Sequence, residues 1–156
     1  MDAQPVLRLL DFSNRSLGMN LEGVTHEESL IHPEGGGNCI NWVLGHIVAH
    51  RDTMLVMMGQ PALLDEAVSA RYARGSRPVT GDGGDVQALE TLKDALEKSY
   101  DRLRAQVAAA DEATFAQPSG KGTLGDSLVF LLGHEWYHGG QVGLLRRVTG
   151  HAGAIQ

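Results

Sequence analysis

The chain has 156 residues, a formal net charge of −6 and a single cysteine, Cys39. That length suits one domain over residues 1–156 with a core that needs no staples, and one cysteine excludes an internal disulfide framework. The opening MDAQPVLRLL lacks the pattern of a signal peptide, no apolar run approaches the ~18 residues of a membrane helix, and the small clusters Arg71/Arg74/Arg77 and Arg146/Arg147 form no basic stripe; we expect a soluble, cytoplasmic protein that binds neither nucleic acid nor membrane.

Four segments carry the 3.6-residue apolar period of helices. The first runs from about Val6 to Leu21 on Val6, Leu9, Leu10, Leu17 and Leu21, with Pro5 suited to its first turn. The second follows Asn38, a favourable N-cap residue, continues through Ile40, Val43, Leu44, Ile47 and Leu55, and ends near Gly59 and Pro61. The third spans about Asp85 to Ala110 with an apolar stripe from Val86 to Val107. The fourth starts at Thr123, where Thr-Leu-Gly-Asp reads as a capping box, and reaches Gly150, a plausible residue for the position after the C-cap. Its interior holds Gly125, Gly133, Gly139, Gly140 and Gly143. Each costs up to ~1 kcal/mol relative to alanine, which points to close approach by a neighbour, to a bend, or simply to a tolerant, well-packed setting.

No segment alternates as a strand does, so the class is all-α and the architecture a four-helix bundle. Two connections are long. Residues 22–37 include the turn-forming HPEGGG, and residues 60–84 contain a possible short helix around Leu63 to Tyr72 followed by PVTGDGG. Loops of this length can cross over the bundle or cap one end of it.

Seven histidines are present, and four of them form two i, i+4 pairs: His46 with His50, and His134 with His138. Four residues advance a helix by ~6 Å and turn it by ~40°, so each pair shares one face. Such a pair arises by chance on surface helices, but His134 and His138 lie among Leu131, Leu132, Trp136 and Val142, so at least one ring faces inward and needs a polar partner. A metal ion shared with the second histidine-bearing helix supplies that partner. His134-Glu135-Trp136-Tyr137-His138 also matches the H-E-x-x-H pattern of zinc proteases. The extended protease form requires histidine where this chain has Leu144 and glycine where it has Gln141, and no acidic residue follows Glu135. His151, the one downstream candidate left, follows Gly150 beyond the helix end, so we expect the third ligand from upstream, where His46 is the candidate.

Around these residues the sequence resembles the DinB/YfiT-like metal-binding four-helix bundles, the DinB superfamily, over nearly its whole length. The most specific parts are Trp42-x-x-x-His46 and His134-Glu-x-x-His138-x-Gly140-Gln141. The resemblance implies that His46, His134 and His138 ligate a divalent metal, zinc or nickel. It also implies an up-down-down-up bundle with a long crossover between the second and third helices, and a homodimer. His50 lies outside the usual ligand set, as a fourth ligand, a supporting group or a solvated neighbour. Characterised members include transferases of low-molecular-weight thiols and a thiol-dependent isomerase, so transfer of such a thiol to an electrophilic small-molecule substrate is the leading expectation. The alternatives are a metal-dependent hydrolase of a small substrate and a non-enzymatic, stress-associated metal-binding module.

Other residues near the pattern have weaker assignments. Glu135 could orient a ligand, act as a base or pair with a cation elsewhere. Gln141 could hydrogen-bond near the site. Cys39, seven residues before His46, shares roughly its face but is more simply a small buried apolar residue. Tyr72, Arg71 and Arg74 could contact an anionic thiol, though a solvated loop is the default.

Overall fold

The computed structural model describes residues 2–155. Its elements in chain order are α1 (Ala3–Leu21), α2 (His26–Ser29), α3 (Ile40–Met57), α4 (Glu66–Arg71), α5 (Leu89–Ala109), α6 (Glu112–Phe115), β1 (Pro118–Ser119), β2 (Gly122–Thr123) and α7 (Leu124–Val148). The four long helices α1, α3, α5 and α7 form the expected all-α bundle; β1 and β2 make a two-residue antiparallel hairpin that leads into α7.

The helix ends follow from their sequences. Thr123 and Asp126 form a reciprocal capping box at the start of α7, as their spacing foretells. Gly150 (φ 90°) ends that helix in a left-handed turn, with His151 N–H donating to the Arg146 carbonyl and Gly150 N–H to that of Arg147. Gly59 (φ 75°) ends α3 in the same way. Two starts differ from expectation. Cys39, not Asn38, occupies the N-cap of α3, and it makes no side-chain capping bond. The third long helix begins at Leu89 rather than Asp85, because Val86 N–H closes a turn on Gly83 and Gln87 N–H donates to the Tyr72 hydroxyl. The first free amide of α5, on Leu89, is capped from a distant loop by His26 Nδ1 at 3.1 Å.

Contacts between helices fix their directions. Ser13 meets Glu135 and Leu17 lies against Gly139, so α1 and α7 run parallel. Asn41 bonds Gln87 and Arg51 bonds Leu96, so α3 and α5 run parallel. Arg51 pairs with Glu135 near His46 and His138, so α3 opposes α7; Asn14 meets Glu97 and Asp11 meets Tyr100, so α1 opposes α5. The topology is therefore up-down-down-up. Residues 58–88 make the long crossover from α3 to α5, which α4 interrupts. Asp52 anchors its start, accepting bonds from the backbone N–H groups of Leu63 (2.9 Å) and Leu64 (2.8 Å). Tyr72, fully buried, anchors its middle: its ring fills the space beside Gly45, where an added Cβ would lie 2.3 Å from the ring. A solvated loop is thus not what Tyr72 occupies. Arg71 lies 3.0 Å from Asp85 and donates to the Arg77 carbonyl, so it too serves the crossover.

The core falls into two apolar halves. Leu17, Leu21, Ile40, Leu44, Ile47 and Leu92 belong to one; Val6, Leu10, Leu55, Leu103, Leu128 and Leu132 belong to the other. Between them lies a polar layer in which Arg51 and Glu135 are 0% and 1% exposed. Arg51 Nε donates to Glu135 Oε2 at 2.9 Å and Nη2 to Oε1 at 2.7 Å. Arg51 Nη1 reaches the Asn14 side-chain oxygen and the Leu96 carbonyl, both at 2.9 Å, while Ser13 Oγ donates to Glu135 Oε1 at 2.5 Å. One guanidinium and one carboxylate thus tie together all four long helices. A buried charge is tolerated only when paired and fully hydrogen-bonded, which this bidentate arrangement achieves.

Removing one partner strands the other in a dry layer. We expect Glu135→Ala to lower unfolding stability by about 3–5 kcal/mol in urea denaturation. The double change Arg51→Met with Glu135→Leu should recover most of that loss. Additive losses in the double variant would contradict this role for the pair.

Candidate metal centre

At the level of the polar layer, α3 and α7 present histidines to each other. His46 on α3 and His134 and His138 on α7 each offer a ring nitrogen, and these three atoms all lie within 4.8 Å of one another. His134 Nε2 and His138 Nε2 are 3.1 Å apart. Three nitrogens on one tetrahedral ion would stand about 3.3 Å apart, given metal–nitrogen bonds of about 2.0–2.1 Å. The expected ligand candidates are therefore brought together, and at a spacing an ion can bridge.

Two of the three rings are oriented by bonds on their far side. His46 Nδ1 lies 2.7 Å from the Tyr72 carbonyl and His138 Nδ1 lies 2.7 Å from Gln141 Oε1. A carbonyl oxygen only accepts, so each Nδ1 donates its proton and each Nε2 keeps a free lone pair. This is how metal-binding histidines are usually supported. Trp42 adds a stacking contact, its ring 4.8 Å from that of His46 and tilted by 16°, and is itself held by a 2.9 Å bond from Nε1 to Ser76 Oγ. The Trp42-x-x-x-His46 spacing is thus one helical turn that braces the imidazole. Gln141 fills the hydrogen-bonding position expected of it.

His50 stands beside the trio. Its ring is 4.4 Å from that of His46 and 4.5 Å from that of His134. With His134–His138 at 4.4 Å and His46–His138 at 4.8 Å, the four rings form a closed circuit. The buried Nδ1 atoms of His50 and His134 have no hydrogen-bond partner among the described residues. Buried polar groups are normally satisfied, and the crowding of four imidazoles here leaves these two nitrogens without a protein partner.

Glu135 takes the third of the roles open to it. Both its oxygens face Arg51 and Ser13. No carboxylate joins the imidazole trio among the described residues. Sequence reading missed Arg51 altogether, although a lone arginine inside the apolar second helix was the available signal. It also missed the Tyr72 carbonyl, which a sequence cannot reveal because any residue carries one. Cys39 is buried, 4.0 Å from the Val79 carbonyl, and is not in the trio. His151 pairs with Glu28 at 3.0 Å, and His26 lies 3.4 Å from Asp82; both serve loops.

Burial disfavours the protonated form of His46, His50 and His138. Burial lowers the pKa of His46 and of His138 below the usual 6.5, against the raising effect of their Nδ1 bonds. His50 is pushed down to about 4, by burial first and then by His46, His134 and His138. Each folded-state value lies below that of the unfolded chain, so the unfolded chain binds more protons as the pH drops. The stability contributed by these groups is complete above about pH 6.5 and is lost as pH falls through their lowered values, which for His50 means toward about 4. We expect the urea midpoint of metal-free protein to fall between about pH 7 and about pH 5, and the fall to shrink in His50→Gln. A midpoint that is flat over that window would contradict the assignment.

Comparison with known proteins agrees with this geometry. Residues 10–142 match the family model of the DinB superfamily. No curated protein matches the chain. Among solved structures, the crystal structure of a conserved protein from Enterococcus faecalis is similar in fold, with a TM-score of 0.73 at 17% identity, covering 96% of this chain and 98% of that one. No helix among the described residues is long and apolar enough to cross a membrane. The family match spans most of the chain, and this protein belongs to the DinB superfamily.

Proposed function

We propose that the protein binds one zinc or nickel ion through His46, His134 and His138 and uses it to transfer a low-molecular-weight thiol to an electrophilic small molecule. The observation that carries this reading is the composition of the cluster: three converging neutral imidazoles with no carboxylate among them. Three neutral ligands leave the charge of the ion uncompensated and leave part of it open, and an ion so held lowers the pKa of a bound thiol or water.

The residues of the chain divide the remaining work. Tyr72 and Gln141 hold the Nδ1 protons of His46 and His138, so the Nε2 lone pairs are presented without rearrangement. Trp42 fixes the plane of the His46 ring. The balance of the reaction is simple. The thiol gives up its proton, its sulfur forms a bond to the electrophilic carbon, and the leaving group departs with the bonding electron pair. The released proton goes to the leaving group or to water.

Hydrolysis in the manner of the H-E-x-x-H proteases needs the intervening glutamate as a base beside the metal. Here both oxygens of that residue are engaged by Arg51 and Ser13. That observation favours thiol transfer over hydrolysis, while a trio one ligand short of the four that normally close a structural site supports both over a purely structural role.

The test is to load the full chain with zinc or nickel and present a panel of low-molecular-weight thiols with a chloroarene, alongside an ester and an amide. We expect thiol conjugation above the metal-free background and no metal-dependent hydrolysis. His46→Ala should lose both bound metal and conjugation. Equal metal loading in the variant, or hydrolysis without conjugation, would overturn the proposal.

A further inference from the structure

A groove between α1 and α7 lies apart from the imidazole trio, none of whose members lines it. Its volume is about 450 Å³. Small-molecule sites are concave, mostly apolar and furnished with a few placed polar groups, and the groove has each of these properties. Its two ends differ in chemistry. At one end Phe12 and Trp136 stand 5.1 Å apart, and the indole is held by a bond from Nε1 to the Leu9 carbonyl. At the other end lies Arg147. Eleven residues of α7 separate Trp136 from Arg147, so the ends are ~16 Å apart.

The floor between the ends is bare backbone at Gly139, Gly140 and Gly143. Helix α1 accounts for two of these glycines. A Cβ on Gly143 would lie 3.3 Å from Asn20 Oδ1, and one on Gly139 would lie 3.8 Å from Leu17. A Cβ on Gly140 meets nothing within 4 Å. Glycine weakens a helix interior relative to alanine, and packing within the chain does not repay that cost at Gly140.

Two polar groups near the Arg147 end lack partners. Asn20 lines the groove and is 6% exposed. Its Nδ2 donates to the Ser16 carbonyl at 2.9 Å, which leaves Oδ1 toward the floor at Gly143. That oxygen accepts no hydrogen bond among the described residues, although buried acceptors are normally satisfied. Arg147 likewise has no hydrogen bond or ion pair among the described residues. Its place is nonetheless defined by the chain: a Cβ on Gly153 would lie 2.4 Å from Nη2, so the tail backbone packs on the guanidinium. The groove therefore ends in a placed cation without an anion and, one turn earlier, a buried acceptor without a donor.

We infer that this groove binds an N-acyl amino acid. Its carboxylate pairs with Arg147, its amide N–H donates to Asn20 Oδ1, and its acyl chain lies along the glycine floor to end against Phe12 and Trp136. Each part answers one feature. A guanidinium matches a carboxylate through paired charge-assisted bonds. An ionised carboxylate only accepts, so Oδ1 needs a separate donor beside it, which the amide supplies. A slender chain can lie on a floor that has no side chains, and the aromatic pair removes its end from water. The inference is independent of the metal and of the reaction proposed above.

The test is calorimetric titration of the full chain with decanoylglycine, kept below its micelle concentration. Saturable binding of one molecule per chain is the expected result. Decanoylglycinamide, which lacks the carboxylate, should bind at least about tenfold more weakly, and decanoylsarcosine, which carries an N-methyl group in place of the N–H, about fivefold more weakly. Arg147→Gln should lose at least about tenfold in affinity for decanoylglycine and none for the glycinamide. Gly140→Leu, which fills the floor, should abolish binding of all three ligands. Both variants should keep the wild-type circular dichroism, and His46→Ala should bind decanoylglycine as the wild type does. Absence of saturable binding, equal affinity for the three ligands, or loss of binding in His46→Ala would each overturn the inference.

Discussion

The structure depends on one buried ion pair. Arg51 and Glu135 sit at the level where the apolar core divides, and between them they reach all four long helices through Ser13, Asn14 and the Leu96 carbonyl. Apolar packing alone would permit α3 and α7 to slide by a turn with little loss, because both helices are apolar around much of their circumference. A bidentate salt bridge permits no such slip. Its partners also neighbour the site in sequence: Arg51 follows His50, and Glu135 follows His134. Fixing the register of the pair therefore fixes which imidazoles meet.

The short H-E-x-x-H motif shows how the same residues serve a different end. Its two histidines lie on the face of α7 toward α3, while the glutamate lies round the helix on the side toward the core. In this fold the glutamate builds the scaffold and the histidines build the site. The helix is not presenting a base and two ligands to a cleft, as a protease helix does. It presents two imidazoles to a third on an antiparallel neighbour, with Tyr72, Gln141 and Trp42 holding the rings in place.

Much of this was legible in the sequence, and the reasons are local. The four long helices announce themselves by period, the start of α7 by its capping box, and its end by Gly150. The two i, i+4 histidine pairs announce a shared face. What escaped reading is what depends on chain regions distant in sequence. The crossover looked like solvated loop because Arg71, Tyr72 and the glycines after it are ordinary loop residues; only the packing of Tyr72 on Gly45 makes it part of the core. The delayed start of α5 reflects a bond from Gln87 to that same tyrosine, which no periodicity encodes. The role of Glu135 could not be settled without knowing that Arg51 lies opposite.

The central claim is that three imidazoles from two helices hold one divalent ion and leave it open. X-ray absorption at the metal edge of the loaded full-length protein tests it directly. The account predicts three imidazole nitrogens at about 2.0–2.1 Å, with the rest of the sphere made of light, exchangeable solvent atoms. A sphere containing fewer than three imidazoles, or one containing the sulfur of Cys39, would contradict it.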